Sequence, residues 1–160
     1  MSSYFMTVVS PIGSISLVSD ETHLKSVIFS EEQGNESENL PNILLKAASQ
    51  LKEYFDGTRT RFDLALNPDG TSFQKKVWQK LLDVPFGKTK SYRDIALELG
   101  SVLNTRAVGT ANGKNPISII IPCHRIIGQN GKLVGYAGGL ERKKWLLLHE
   151  SGHTKSDLLF

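Results

Sequence analysis

The first 70 residues alternate between short apolar runs and turn residues. Apolar segments at residues 5–9, 15–18 and 24–29 are separated by Ser10-Pro11-Ile12-Gly13 and by a second polar break. Short apolar runs bounded by Pro, Gly and polar residues predict strands. Residues 31–39 are polar and acidic, and they predict an exposed loop. We therefore expect a small antiparallel meander at the start of the chain.

A helix is predicted next, because apolar residues recur at helical spacing. Asn42 is available as its N-cap, and Gly57 stands just past its end. Residues 62–66 are compatible with a last strand, and the turn-rich residues 67–70 predict a linker. The apolar positions of the helix are Ile43, Leu44, Ala47, Ala48, Leu51, Tyr54 and Phe55.

The pattern of residues 71–160 is mostly helical, so we expect a second domain there after a first domain of residues 1–70. Thr71 and Ser91 each stand three residues before a side chain that completes a capping box, and each predicts a helix start. Asn104 is a candidate cap for a further helix over residues 105–112. Two short helices joined by a Gly-containing turn are typical of a helix-turn-helix.

Two apolar pairs, Ile126-Ile127 and Leu133-Val134, flank Gly128-Gln129-Asn130-Gly131 and predict a hairpin or wing. Residues 140–150 predict a closing helix. The expected fold class is therefore α/β of the α+β kind. It combines a small N-terminal domain, an antiparallel sheet plus a helix, with an all-helical, winged helix-turn-helix domain that carries the single cysteine.

Composition is that of a folded protein, with 39% hydrophobic residues among 160. The sequence does not open on a charged segment followed by an apolar one, and no apolar run approaches the ~20 residues that span a bilayer. The one cysteine excludes an intramolecular disulfide and a thiolate metal cluster. We expect a monomeric, soluble protein of a reducing compartment, the cytoplasm or, in a eukaryote, the nucleus, with no membrane partner.

Charge is divided unevenly between the halves. Residues 1–70 hold 5 Lys or Arg against 10 Asp or Glu, whereas residues 71–160 hold 14 against 6. A basic half indicates a polyanionic partner, with nucleic acid as the leading candidate. The alternative, a solvated asymmetry without function, stays open on composition alone.

Cys123 lies inside the apolar run of residues 119–127 and is either a buried filler or a nucleophile. Its neighbours favour the nucleophile, since Pro122 interrupts the run and His124 and Arg125 bring nitrogen-rich side chains. Positive charge nearby would raise the thiolate fraction of a thiol. Because adjacent residues of a strand point to opposite faces, contact between Cys123 and His124 requires a tight turn or a bridging water.

One helix face in residues 105–112 and the following glycine carries little bulk. Arg106, Gly109, Thr110 and Gly113 fall on this face at helical spacing. Glycine costs about 1 kcal/mol inside a helix, so Gly109 needs a compensating reason. Spacing alone supports close packing on another helix and close contact with DNA equally well.

Around Cys123, Pro122-Cys123-His124-Arg125 resembles the active-site motif of the O6-alkylguanine-DNA alkyltransferases. The resemblance extends over about residues 72 to 150, in the order and spacing of that family. The further matching segments are Ser91-Tyr92, Arg106-Ala107-Val108-Gly109, Gly113-Lys114-Asn115-Pro116, Tyr136-Ala137-Gly138-Gly139-Leu140 and Trp145-Leu146-Leu147-Leu148-His149-Glu150.

The resemblance implies repair of O6-alkylguanine in double-stranded DNA, with O4-alkylthymine as a further candidate substrate. Cys123 would accept the alkyl group irreversibly, so that one protein molecule is consumed per lesion. His124 would act as base through a water and Glu150 would orient it. Tyr92 would donate a proton to the leaving guanine, with Lys143 beside it.

The resemblance also implies that the target base is flipped out through the minor groove and that Arg106 fills its place. Ala137 departs from the mammalian members, which carry a serine there. The implied DNA-binding residues are Arg106, Ala107, Gly109, Thr110, Asn112 and Gly113. The implied structural and substrate-pocket residues are Asn115, Pro122, Arg125, Tyr136, Ala137, Gly138 and Gly139.

We expect no cofactor and no metal, since the chain lacks the N-terminal Cys and His with which the mammalian members bind zinc. Two other functions are compatible with parts of the sequence. A non-reacting alkyltransferase-like or winged-helix DNA-binding protein would not need Cys123. A Cys-His-Glu hydrolase would turn over repeatedly and would leave the basic half without a purpose.

Overall fold

The computed structural model describes residues 2–31 and 36–152. The chain divides into two compact units. Met1–Asp69 and Pro116–Ile120 form one, which we call the sheet unit; Gly70–Asn115 and Ile121–Phe160 form the other, the helical unit. The short segment Pro116–Ile120 therefore belongs to the sheet unit, although the sequence pattern placed the whole of residues 71–160 in the second domain.

The sheet unit contains the predicted meander, which is confirmed. Strands β1 (Tyr4–Ser10), β2 (Gly13–Ser19) and β3 (Leu24–Phe29) pair antiparallel in the order β1-β2-β3. Helix α1 (Asn42–Phe55) follows and contacts the sheet. The core of the unit includes buried apolar side chains from β2, β3 and α1, among them Ile15, Leu17, Leu24, Val27, Leu44, Leu51 and Tyr54.

Two details of the sheet unit differ from the sequence prediction. Pro41, not Asn42, is the N-cap of α1, because its extended backbone places its carbonyl to accept from the amide of Leu44. Residues 62–66 do not form a strand but touch β3 in one parallel bridge, Leu24 to Leu66. Of the predicted loop at residues 31–39, residues 32–35 lie outside the described part of the chain.

The edge of β3 explains why residues 62–66 remain irregular. Leu24 uses its amide and carbonyl to pair with Ala65 and Asn67. Further along the same strand, Val27 pairs with Pro116 and Ser118 instead. Two separate segments thus share the hydrogen-bonding groups of one strand edge, and neither is long enough to extend into a strand.

The helical unit contains α2 (Ser72–Leu82), α3 (Tyr92–Glu98), α4 (Thr105–Gly113) and α5 (Leu140–Ser151). Both predicted capping boxes are present, at Thr71 for α2 and at Ser91 for α3. Asn104 precedes α4 but makes no side-chain cap, because a 3₁₀ turn over Val102–Asn104 runs directly into the helix. Trp78 of α2 donates its indole N–H to the carbonyl of Ala111 at 2.9 Å and thereby fixes α4 against α2.

The predicted hairpin around Gly128 is wrong. Ile126–Ile127 (β5) pairs in parallel with Lys90–Ser91 (β4), and Gly128 closes a loop with Lys132 through one backbone hydrogen bond. Residues 133–134 form no strand, because side chains occupy the carbonyl of Val134: it accepts from Tyr92 and from Lys143.

Within residues 2–31 and 36–152, no helix has both the length and the apolar composition needed to cross a membrane.

Candidate active site

Most of the apolar run around Cys123 forms turns and not the strand that its composition suggested; only Ile126–Ile127 at its end form a strand, β5. Ile119, which the sequence places in this run, has φ +71°, a conformation that β-branched residues rarely adopt. Cys123–Arg125 form a 3₁₀ turn that follows Pro122, and the amide of Arg125 donates to the carbonyl of Pro122. A helical turn with about three residues per turn spreads successive side chains around an axis. A tight turn after Pro122, one of the two arrangements that the sequence left open, is therefore present.

Two buried amides at the end of α4 fix this turn. Asn115 donates its Nδ2 to the carbonyl of Ile121 at 2.8 Å, and Asn112 donates its Nδ2 to the carbonyl of Cys123 at 3.3 Å. Asn112 is only 4% exposed. The resemblance placed Asn112 among the DNA-binding residues, but its side chain is buried, unlike that of Arg106 on the exposed face.

His124, Arg125 and Glu150 form a buried cluster. His124 Nε2 lies 2.7 Å from Glu150 Oε2, and Arg125 donates its Nε to Oε1 at 2.8 Å and its Nη2 to Oε2 at 3.1 Å. Arg125 also donates its Nη1 to the carbonyl of Val84 at 2.7 Å. The His124 and Glu150 pair was predicted from the motif, whereas the contact with Val84 has no sequence signal, because it joins a side chain to a backbone carbonyl 41 positions away.

The cluster determines which nitrogen of His124 carries a proton. Burial alone would raise the pKa of Glu150, but its contacts with His124 and Arg125 together hold that pKa well below the usual range. Burial lowers the pKa of His124 and outweighs the attraction of Glu150. A neutral His124 therefore donates Nε2–H to an ionised Glu150, which leaves Nδ1 as the acceptor. Nδ1 is buried and bonds to none of the described residues.

Cys123 is 2% exposed, and burial raises the pKa of its thiol to about 11. The side chain of Asn115 and the charge of Lys143 oppose this rise without cancelling it. The sequence suggested that the neighbouring Arg125 would promote the thiolate, and this is wrong, because the charge of Arg125 is matched by Glu150. The resting thiol is therefore protonated at neutral pH and needs a base.

The buried Lys143 and the half-buried Tyr92 form a second pair. Lys143 Nζ lies 3.5 Å from the Tyr92 hydroxyl, and that hydroxyl donates to the carbonyl of Val134 at 2.9 Å. Burial lowers the pKa of Lys143 to about 8 and raises that of Tyr92. The Lys143 ammonium donates to three carbonyls, those of Ile126 at 2.6 Å, Val134 at 2.8 Å and Gly135 at 3.0 Å.

The outer face of α4 is exposed to solvent and, apart from Arg106, carries small side chains. Arg106, Ala107, Thr110 and Gly113 are exposed and Gly109 is half-buried. A Cβ added at Gly109 would lie 3.8 Å from Tyr92 Cδ1, an ordinary van der Waals distance. Packing therefore does not require glycine there, and of the two explanations left open by the sequence, tight packing on another helix lacks support. An open pocket of about 290 Å³ lies here, lined by Tyr92, Thr105, Gly109, Val134 and Gly135.

The last predicted pocket residues form the turn before α5. Gly139 donates its amide to the carbonyl of Tyr136 at 2.9 Å and has φ +92°, a conformation that favours glycine. Ala137 is exposed at the tip of this turn, and Gly138 accepts from Arg142 at 3.2 Å. These residues adjoin Val134 and Gly135 in the chain, so they follow directly on the segment that Lys143 fixes.

A buried thiol in the same tight turn as a histidine that pairs with a carboxylate, carried on a helix-turn-helix unit, defines a DNA-binding protein with a nucleophilic cysteine. Residues 72–152 match the model of the 6-O-methylguanine DNA methyltransferase, DNA binding domain, and residues 3–68 match that of the 6-O-methylguanine DNA methyltransferase, ribonuclease-like domain. The chain belongs to the 6-O-methylguanine DNA methyltransferase family.

Relatives match over nearly the whole chain. The methylated-DNA–protein-cysteine methyltransferase of Methanosarcina barkeri is 44% identical over 159 residues, which cover 95% of this chain and 99% of the relative. The constitutive enzyme of the same name from Bacillus subtilis is 41% identical, with 91% and 93% covered. A crystal structure of Mycobacterium tuberculosis OGT in complex with DNA is 43% identical, with 92% of each chain covered and a TM-score of 0.84.

Proposed function

We propose that this protein repairs DNA by moving the alkyl group of O6-alkylguanine to Cys123, once per molecule. Family membership supports this activity, and so does the name of the relatives, methylated-DNA–protein-cysteine methyltransferase. The observation that carries the proposal is that the buried Cys123 shares one tight turn with His124, whose Nε2 is paired with the carboxylate of Glu150 at 2.7 Å. O4-alkylthymine is a second candidate substrate.

In the proposed reaction, His124 Nδ1 takes the thiol proton of Cys123 through a water, while Glu150 stabilises the resulting imidazolium. The sulfur attacks the alkyl carbon, a C–S bond forms and the C–O6 bond breaks. The electron pair of that bond leaves with the guanine. Tyr92 donates its hydroxyl proton to this guanine, and the ammonium of Lys143, 3.5 Å away, favours the phenolate that remains. Because a thioether is not cleaved by the protein, the reaction ends there.

The proposed partner is double-stranded DNA, bound by the exposed face of α4 in the minor groove. The solved DNA complex of a relative supports this partner. Arg106 is exposed on this face and is assigned to the space left by the flipped base. A nucleophilic thiol suits a reducing compartment, so we place the protein in the cytoplasm, or in the nucleus of a eukaryote, as a monomer.

The assignment of Cys123 is tested by intact mass after incubation with duplex DNA containing O6-methylguanine. The wild type should gain one methyl group and no more, and Cys123→Ser should gain none while still binding the duplex. A methylated Cys123→Ser protein would refute the assignment. Release of many product molecules per protein would instead indicate a hydrolase.

The role of Arg106 is tested by comparing duplex DNA with the free base. Arg106→Ala should slow transfer from duplex DNA by about 10-fold or more. Flipping a base costs a few kcal/mol of stacking and pairing energy, and the variant lacks the side chain proposed to offset part of that cost. Transfer from free O6-methylguanine should stay within about 2-fold of the wild type, because no base has to be replaced. An equal loss on both substrates would contradict the role.

A further inference from the structure

Asn112 is a buried side chain that the proposed reaction leaves unused. It lies near the end of α4, on the side opposite Arg106, and is 4% exposed. Its amide donates to the carbonyl of Cys123 and lies beside Tyr92. It therefore stands between the alkyl acceptor and the proposed proton donor.

The orientation of the Asn112 amide follows from its partner. The carbonyl of Cys123 can only accept a hydrogen bond, so the group facing it must be the NH₂. The amide oxygen, Oδ1, is then the free acceptor. It is buried and has no hydrogen-bond partner among the described residues. A buried acceptor left unpaired costs about 1–3 kcal/mol, and most proteins avoid this cost.

The chemistry of the substrate identifies a group that would satisfy Oδ1. Alkylation of O6 removes the hydrogen from N1, and N3 and N7 carry none. In DNA, the 2-amino group is then the only N–H donor left on the base. We propose that Asn112 is a specificity-determining residue whose Oδ1 accepts a hydrogen bond from the 2-amino group of the extruded O6-alkylguanine. This inference rests on the proposed function.

The test compares two lesions in the same duplex: O6-methylguanine and O6-methylhypoxanthine, which lacks the 2-amino group. The wild type should react about 10-fold faster with O6-methylguanine, the value of one hydrogen bond to a buried acceptor. In Asn112→Ala this ratio should fall to within about 2-fold of one. Both rates come from one protein preparation, so the fraction of folded protein cancels in their ratio.

Two variants serve as controls. Asn112→Asp retains an acceptor oxygen and should retain the preference, but it loses the hydrogen bond to the Cys123 carbonyl and its charge disfavours the thiolate, so both rates should fall. Thr110→Ala changes the exposed face that we assign to the DNA groove; it should change both duplex rates by the same factor and leave their ratio at the wild-type value.

Two results would overturn the inference: no preference in the wild type, or an unchanged preference in Asn112→Ala with both rates lowered together. The second result would show that the amide only supports the Cys123 turn. Failure of the proposed function looks different, because the wild type would then transfer no methyl group from either lesion.

Discussion

At the scale of single residues, the state of Cys123 follows from a competition between burial and its polar neighbours. A rise in the thiol pKa from 9.0 to about 11 corresponds to about 3 kcal/mol against the thiolate. Asn115 and Lys143 lower the thiol pKa, but by less than burial raises it. The buried thiol should therefore react slowly with oxidants and alkylating reagents, and in the proposed reaction the thiolate forms when His124 takes the proton.

This competition predicts how Cys123 reacts with a simple reagent. Below a pKa of about 11, each pH unit raises the thiolate fraction tenfold. Labelling of the protein by iodoacetamide should therefore be slow at pH 7 and should accelerate about 10-fold per pH unit up to pH 9. The rate is measured by mass spectrometry over time.

The labelling experiment has a simple control, because the chain contains one cysteine. Cys123→Ser should take up no label at cysteine, and the wild type should keep the same melting temperature over this pH range. A rate that levels off near pH 7 would show that the thiol is already ionised and that His124 is not needed as a base.

At the scale of elements, α4 serves two functions on opposite faces. Asn112 lies on its buried face, and Asn115 follows just past its end. Both side chains donate hydrogen bonds to the segment that contains Cys123. Its exposed face carries Arg106 and the small residues assigned to the groove. In the proposed complex, any movement of the Cys123 turn would therefore be transmitted to the helix that we assign to the DNA groove.

The exposed face predicts opposite effects of Gly109→Ala on stability and on repair. Alanine fits at 3.8 Å from Tyr92 and favours the helix, so the free energy of unfolding should rise by up to about 1 kcal/mol. The same methyl group lies on the face that we propose to enter the groove, so affinity for duplex DNA should fall severalfold. Urea denaturation and a DNA-binding titration measure the two effects.

Free O6-methylguanine is the control substrate for Gly109→Ala, since its transfer rate should change little. A variant that is stabilised and binds duplex DNA as tightly as the wild type would show that this face of α4 does not enter a groove.

At the scale of the whole molecule, the two parts of the chain carry opposite net charges, and the chain enters the sheet unit twice. The net charges of residues 1–70 and 71–160 are −5 and +8, and the basic part carries α4 and Cys123. Between Asn115 and Ile121 the chain leaves the helical unit and contributes Pro116–Ile120 to the sheet unit. The two residues that bound this excursion are joined by the Asn115 to Ile121 hydrogen bond.

This arrangement predicts that alkylation destabilises the protein as a whole. Cys123 is 2% exposed, so an added methyl group overpacks its surroundings at a cost of about 1–3 kcal/mol. Displacement of the turn would strain its hydrogen bonds with Asn112 and Asn115, and hence the end of α4. The methylated protein should melt several degrees lower than the unreacted one and release DNA more readily, as measured by thermal unfolding and DNA titration.

Size provides the control for this prediction, because a benzyl group should overpack the site more than a methyl group does. Cys123→Ala incubated with the same DNA corrects for effects of the substrate. Equal melting temperatures for the unreacted, methylated and benzylated proteins would show that the site has room for the product.

Much of this protein is determined by its sequence alone, where the relevant interactions are local. The meander follows from alternating apolar runs and turn residues, and the capping boxes at Thr71 and Ser91 need only a spacing of three. The pairing of His124 with Glu150 and the position of Cys123 are fixed by the motif that the chain shares with its family.

Only the tertiary structure decided how backbone groups far apart in the sequence are satisfied. Ile126–Ile127 pairs with β4 and not with residues 133–134, because Lys143 and Tyr92 occupy the carbonyl of Val134. The inward position of Asn112 likewise depends on a carbonyl 11 residues away. The thiol pKa is also a tertiary property, because desolvation depends on every atom packed around Cys123 and charge alone would have predicted the opposite shift.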